Sequence, residues 1–291
     1  MHVLVTGGDG FIGRYLCTEL DDRGHDVTAL SRDPDPDVLP ADVETVTGDV
    51  TDPATLSGAF EGVDAVVNLV ALSPLFTPKG GNEMHERVHL QGTEHVVSAA
   101  EGAGVDRIVQ MSALGADPDG STHYIRTKGR AENVVRESGL SWVIVRPSVV
   151  FGDGGEFVGF TKKLTPPFLA PLPGGGKTRF QPIWVQDLAP ILADCVEDDE
   201  RAGETYELGG PEKLTLKQIA KLVRGSVAVV PVPMALAGIG LSIGDAIPGF
   251  PMGRDQYRSL RFDNTTADND VTAFGVDPAE MQTLGAYLGQ D

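Results

Sequence analysis

The first half of the chain alternates short aliphatic and β-branched runs with longer segments in which apolar positions recur every three or four residues. The runs at 2–6, 26–30, 44–47, 65–70, 107–111 and 142–145 lack the polar alternation of a half-exposed strand. Such runs predict parallel strands buried on both faces. Between them, residues 11–22, 53–60, 85–102 and 122–138 predict helices. Strand and helix in turn imply right-handed crossovers, so the expected fold class is α/β, a doubly wound parallel sheet.

After Arg146-Pro147 the texture changes. Gly152-Asp153-Gly154-Gly155, Thr165-Pro166-Pro167 and Pro171-Leu172-Pro173-Gly174-Gly175-Gly176 interrupt any regular pattern. Residues 1–150 therefore form one expected domain, and residues 151–291 a smaller C-terminal lobe facing a substrate. A strand at 182–185 and a helix at 187–196 are expected to return residues 182–197 to the sheet. Tyr206-Glu207-Leu208 and a helix at 215–223 are expected to build the lobe. The most apolar stretch, 227–252, is broken by Pro231, Pro233, Asp245, Pro248 and Pro251. It falls short of the roughly 18 uninterrupted apolar residues of a spanning helix, which predicts no transmembrane segment and leaves peripheral membrane contact open.

At 291 residues and 41% hydrophobic content the chain can bury a large core. Its 42 acidic against 23 basic residues, a formal charge of −19, repel phosphate backbones, so no nucleic-acid partner is expected. The acids are spread along the chain and only 8 residues are Lys against 15 Arg, which resembles the surface of proteins from salt-loving, halophilic organisms. Cys17 and Cys195 stand far apart with no CxxC, so neither a metal site nor a disulfide framework is expected. The chain opens on a strand-like run with no charged leader ahead of it, and the expected compartment is cytoplasmic.

Where the first strand gives way to the first helix stands Thr6-Gly7-Gly8-Asp9-Gly10-Phe11-Ile12-Gly13, a GxxGxxG pattern. Gly7 can make the sharp turn, Gly10 lets backbone approach a pyrophosphate, and Gly13 lets helix pack on strand. Backbone N–H groups of this stretch and the positive helix end would bind the phosphates, which makes 1–150 a dinucleotide-binding domain. An NAD-preferring site places an acid at the end of the second strand; here stands Leu30-Ser31-Arg32. Arg32, aided by Ser31 and Arg14, could pair with a 2′-phosphate, so NADP(H) is favoured over NAD(H). Asp49-Val50 should lie by the adenine, and Asn68 with Leu69, Val70 and Ala71 by the nicotinamide.

Tyr124 and Lys128 stand at i and i+4 on a predicted helix, 12 residues beyond Ser112 at the end of the fifth strand. Carbonyl reduction needs a proton at oxygen as hydride reaches carbon, and a phenol near pKa 10 must be tuned to supply it. The Lys128 ammonium would lower that pKa and hold the nicotinamide ribose, while the Ser112 hydroxyl would polarise the substrate oxygen. These motifs together resemble the short-chain dehydrogenase/reductase superfamily, with its Rossmann sheet.

Four further stretches narrow the likeness: Met111 to Ala116, Thr127 to Glu132, Val145 to Gly152 and Phe180 to Asp187. They are similar to the atypical extended branch that includes the NADPH-binding accessory subunit of respiratory complex I. The resemblance implies that Met111, Arg146, Pro147 and Ser148 lie beside nicotinamide and substrate. It also exposes a departure. Members carry an Asn in the helix after the fourth strand, where this chain has His89. That Asn supports a water chain relaying protons to the Lys, so its loss bears on turnover more than on cofactor binding. The leading expectation is an oxidoreductase on a carbonyl or hydroxyl of a small, fairly apolar molecule. The alternatives are a non-catalytic NADPH-binding sensor or assembly subunit, and a nucleotide-sugar epimerase or dehydratase. The latter would need diphosphate contacts from Arg179, Arg224, Arg254 or Arg258. Oligomeric state is not legible at this level.

Overall fold

The computed structural model describes residues 1–225, 227–235 and 253–290, so most of the apolar stretch 227–252 lies outside the described residues. The strands of the first half are β1 (His2–Thr6), β2 (Asp26–Ser31), β3 (Glu44–Thr47), β4 (Ala65–Asn68), β5 (Arg107–Met111) and β6 (Ser141–Pro147). Its helices are α1 (Phe11–Asp22), α2 (Glu83–His85), α3 (Gly92–Ala103) and α4 (His123–Glu137). Beyond them follow β7 (Val150–Phe151), α5 (Glu156–Leu164), β8 (Leu169–Pro173), β9 (Arg179–Phe180), β10 (Ile183–Trp184) and α6 (Val185–Glu197). Then come β11 (Glu204–Leu208), β12 (Leu214–Thr215), α7 (Leu216–Arg224) and β13 (Ala228–Val232).

Seven strands form one parallel sheet in the order β11-β6-β5-β4-β1-β2-β3. Alternate residues of the inner strands feed two cores. Val3 and Val5 pack with Leu16, Cys17 and Leu20 of α1 and Leu188, Ile191 and Leu192 of α6. Leu4, Val66, Ile108 and Ile144 pack on the other face with Val96, Val97 and Ala100 of α3 and Val135 of α4. Continuous apolar strands are what two covered faces require. Both cysteines are free and fully buried in the first of these cores. The strand order reverses between β1 and β4, and in open α/β sheets ligands bind in the crevice at that point. Among the described residues no helix is long and apolar enough to cross a membrane.

Several elements differ from expectation. The helix expected at 53–60 is a single 3-10 turn, Pro53–Thr55, because Asp52 caps Ala54 N at 3.2 Å and Thr55 Oγ1 bonds back to Asp52 O at 2.7 Å; Leu56 and Phe60 are buried without a helix. The helix expected at 85–102 is interrupted by a π-helical stretch, Glu86–Gln91, where Gly92 approaches Val50 so closely that a Cβ would sit 2.9 Å from Val50 Cγ2. The strand expected at 182–185 shortens to β10, which pairs with β7 rather than joining the large sheet. α6 lies beside α1 on the sheet. Tyr206 to Leu208, expected in the small lobe, instead belong to β11, which continues the large sheet in register with β6, Leu208 opposite Pro147. With α6 covering that face, the free edge of β6 is the site where an incoming strand satisfies its backbone.

Candidate functional site

A cavity of about 1210 Å³ opens over the carboxyl ends of the sheet strands and runs into the small lobe. That exceeds the ~300–1,000 Å³ typical of small-molecule sites, leaving room for a dinucleotide and a second molecule. At one end Gly7 turns with φ of 76°, its N–H bonded to Leu30 O at 2.7 Å, and Gly10 N returns to Gly7 O at 3.0 Å. A Cβ on Gly13 would fall 2.2 Å from Gly7 O, so only glycine lets α1 sit this close to the loop. Gly10 begins α1 without any side-chain cap, which leaves first-turn N–H groups for a ligand's phosphates. A pyrophosphate fits this cradle.

Gly7, Asp9, Gly10, Phe11, Ile12 and Gly13 line the cavity, as do Ser31, Arg32, Asp49, Val50, Leu69, Val70, Ala71 and Met111. Ser112, Tyr124, Lys128, Pro147 and Ser148 line it as well. Thr6, Gly8 and Arg146 do not, and each has a physical reason. Thr6 Oγ1 donates to Asn68 Oδ1 at 2.7 Å within a buried layer where Asn68 Nδ2 reaches Gln110 Oε1 at 2.9 Å. Gly8 turns inward against the sheet, where a Cβ would meet Ala29 Cβ at 2.6 Å. Arg146 faces away, its Nε donating to Glu132 Oε1 at 2.8 Å and its Nη2 to Glu132 Oε2 at 2.6 Å.

The helpers expected for Arg32 are engaged elsewhere. The Ser31 hydroxyl donates to Asp9 Oδ2 at 2.8 Å, and Arg14 donates to Asp153 O while stacking on the Tyr15 ring. Arg87, from the π-helical stretch, takes their place on the cavity wall. Burial pushes the Asp49 carboxyl up, but hydrogen bonds from Thr51 and the fields of Arg32 and Arg87 outweigh it and hold the group below its usual range. Sequence carries no signal for Arg87, because the π-helical turn decides which way that segment faces. The same holds for Asn264, whose Oδ1 lies 2.7 Å from Ser148 Oγ across 116 residues.

Around Tyr124 the chemistry departs from the simple expectation. Its half-buried ring stands edge-on to His85 and His89 at 5.8 and 5.3 Å, and burial pushes its phenol up to about 12 rather than down. Lys128 is fully buried; desolvation lowers it to about 8 although the Glu132 carboxylate pulls the other way, and Nζ donates to Met111 O at 2.9 Å. Ser112 Oγ donates to Glu132 Oε1 at 2.5 Å, so its proton points at that buried carboxylate and its lone pairs are what remain for a ligand. His89 is no relay: Nε2 accepts from Leu72 N at 2.9 Å, and Nδ1 faces Thr127 Oγ1 at 3.1 Å, whose own proton goes to His123 O. Both nitrogens are occupied, and burial holds the ring well below its usual pKa, hence neutral. His85 is likewise pushed down, by burial first, to about 4.

The rest of the wall is mostly apolar, with Phe157, Phe160 and Leu164 of α5, Leu172 of β8, and Leu260 and Phe262, interspersed with Glu156, Thr161, Thr165, Gln256, Ser259 and Asn264. Among the described residues its only cationic lining is Arg32, Arg87 and Lys128. Arg179, Arg224, Arg254 and Arg258 lie outside it; Arg179 pairs with Asp263 at 2.7 Å and Arg224 Nε donates to Thr165 O at 2.6 Å.

Comparison with known proteins fits this geometry. A family model described as NAD(P)H-binding matches residues 7–198. Divinyl chlorophyllide a 8-vinyl-reductase of Zea mays is 33% identical over 227 residues, 72% of this chain, although the chain spans only 55% of that relative's length. The mitochondrial NADH dehydrogenase [ubiquinone] 1 alpha subcomplex subunit 9 of Arabidopsis thaliana is 28% identical, covering 91% of this chain and 71% of the relative. The Thermus thermophilus UDP-glucose 4-epimerase, solved in complex with NAD, shares the fold with a TM-score of 0.74 at 20% identity, covering 100% of this chain and 97% of that one.

Proposed function

The chain belongs to the NAD(P)H-binding family of short-chain dehydrogenase/reductase-like oxidoreductases, and on that premise we propose that it is an NADP(H)-dependent reductase acting on the carbonyl of a small, neutral, apolar molecule. The observation that carries this reading is one cavity joining the glycine cradle, Tyr124 and a mostly aromatic and aliphatic wall that, among the described residues, holds no cation beyond Arg32, Arg87 and Lys128. When bound, the nucleotide supplies hydride. The cradle holds its pyrophosphate, Arg32 and Arg87 its 2′-phosphate, and the Lys128 ammonium, with two protons left beyond Met111 O, its ribose. Tyr124 delivers a proton to the substrate oxygen, while Ser112, its own proton given to Glu132, can accept only from the hydroxyl of the reduced product. In this reading residues 1–150 with 182–197 and β11 form the nucleotide half, and the rest of 151–291 the substrate half. Among the described residues no cation lines the apolar end, which disfavours a nucleotide-sugar diphosphate.

Replacing Arg32 by Asp is expected to weaken NADPH binding about tenfold, a charge-assisted bond partly screened by its exposure, while leaving NADH unchanged or tighter. Titration of nicotinamide fluorescence reads both. Equal loss for the two nucleotides would remove the preference for NADP(H), and no binding of either would remove the cofactor reading.

Lys128 adds a pH signature. A bound anionic nucleotide favours the ammonium, so the proton that the free protein loses near pH 8 must be regained on binding. NADPH affinity is expected to be level below pH 8 and to fall above it, by at most about tenfold per pH unit. Lys128→Met should flatten that profile; an unchanged break would show that another group titrates.

A second reading rests on His89, whose occupied nitrogens leave no proton relay at the position of the usual Asn. In it the protein holds NADPH without turning it over. Slow or absent carbonyl reduction by a protein that binds NADPH tightly would select this reading.

A further inference from the structure

The charge of this protein is segregated. Segments 157–186 and 213–235 contain eight of its 23 basic residues and none of its 42 acidic ones. Tertiary structure brings the two together: β13 pairs along β8, α5 packs on α7, and Arg224 at the end of α7 donates to Lys162 O and Thr165 O at the end of α5. On a chain of net charge −19 this lobe is locally cationic. Lys162, Lys163, Lys217 and Lys221 are exposed there, and none makes an ion pair among the described residues.

Apolar side chains project from the same lobe. Phe168 is 83% exposed, Leu169 49% and Val230 41%. Phe168 also holds a φ of 73°, the only positive φ of a non-glycine among the described residues, a backbone state that disfavours an aromatic side chain. It lines one shallow depression with Lys221, Gly225, Val227 and Ala228. β8 links this face to the site: Leu169 is at its exposed end, while Pro171, Leu172 and Pro173 line the cavity.

We propose that this lobe docks on the surface of an anionic lipid bilayer, with Phe168, Leu169 and Val230 entering the interface and the four lysines meeting headgroup phosphates. A basic rim around exposed apolar side chains is the pattern of interfacial binding. The acidic remainder of the surface is repelled by the same membrane, which fixes the orientation. An acidic protein would match the lysines but has no comparable place for an exposed ring. The orientation presents the β8 side of the cavity to the membrane, so an apolar substrate can reach it from the lipid. That last step rests on the substrate reading above; the docking does not.

The test is flotation of the full chain with vesicles of phosphatidylglycerol and phosphatidylcholine against pure phosphatidylcholine, at low and molar salt, with NADPH titration of every variant alongside. Binding to the anionic vesicles is expected to be about tenfold stronger at low salt and to weaken as salt screens the headgroups. Phe168→Gly relieves the positive φ and therefore preserves the fold, yet should lower binding roughly fivefold by removing a buried ring. Lys163→Glu with Lys221→Glu should lower it at least about tenfold. All variants should bind NADPH as the parent does, so loss of docking and loss of the cofactor reading remain separate results. No flotation with anionic vesicles, or flotation indifferent to these substitutions, overturns the proposal; retention on immobilised poly-glutamate without vesicle binding overturns it in favour of an acidic protein partner.

Discussion

Tyr124→Phe is expected to lower the rate of carbonyl reduction roughly 1,000-fold while leaving NADPH affinity within about twofold, since a positioned proton donor contributes about 10²–10⁴-fold. The substitution is clean. The hydroxyl has no hydrogen-bond partner among the described residues, and the ring contacts to His85 and His89 survive in Phe, so no orphaned polar group is created. The phenol at about 12 stays protonated across the physiological range, which suits a proton donor and not a base. Reduction should therefore outrun alcohol oxidation near neutral pH, and oxidation should rise with pH. Single-turnover oxidation of bound NADPH with a panel of hydrophobic ketones measures this. A Phe variant as fast as the parent would place the proton donor elsewhere, and two equally inert proteins would favour the binding-only reading.

Glu132→Ala is expected to cost roughly 3 kcal/mol, the low end for breaking a buried ion pair, because the buried carboxylate is lost while the partly exposed Arg146 keeps Glu207 at 3.3 Å. Glu132 is 1% exposed and accepts from Arg146, from Arg136 Nη2 at 2.9 Å and from Ser112 Oγ. For a chain of this size that corresponds to a fall in Tm of several degrees. Melting should be measured at low and at molar salt. Salt screens the dispersed acidic surface but hardly reaches a buried pair, so the parent should stabilise with salt while the gap between parent and variant persists. A gap that closes in molar salt would mean that Glu132 acts as a surface charge. The variant also tests the site: Glu132 raises the Lys128 ammonium against its burial, so without it the break in NADPH affinity should move below pH 8.

Wherever a requirement is local, the sequence carried it. Gly7, Gly10 and Gly13 are legible because no other residue tolerates that turn and that closeness of helix to strand, and the structure gives Gly13 a would-be Cβ 2.2 Å from Gly7 O. β1 and β5 have the bounds their apolar runs imply, because a strand covered on both faces admits no alternation, whereas β3, expected to be buried on both faces, keeps its bounds as a largely exposed strand at the sheet edge. Tyr124 and Lys128 reach one cavity because i and i+4 share a helix face.

What the sequence did not carry are the partners chosen at long range. Arg146 sits in a stretch that resembles a nicotinamide contact, but a buried carboxylate 14 residues earlier claims it. The direction of the Ser112 proton and the neutrality of His89 follow from Glu132, Leu72 and Thr127, none of which a spacing rule selects. Tyr124 was expected to be lowered by Lys128; desolvation, a property of the packed site, raises it instead. β11 shows the same division. Its run reads as a strand in sequence, but which sheet it joins depended on where β6 leaves an open edge. Local sterics and periodicity are written residue by residue, whereas burial, charge pairing and the gathering of distant lysines around Phe168 exist only once the chain has folded.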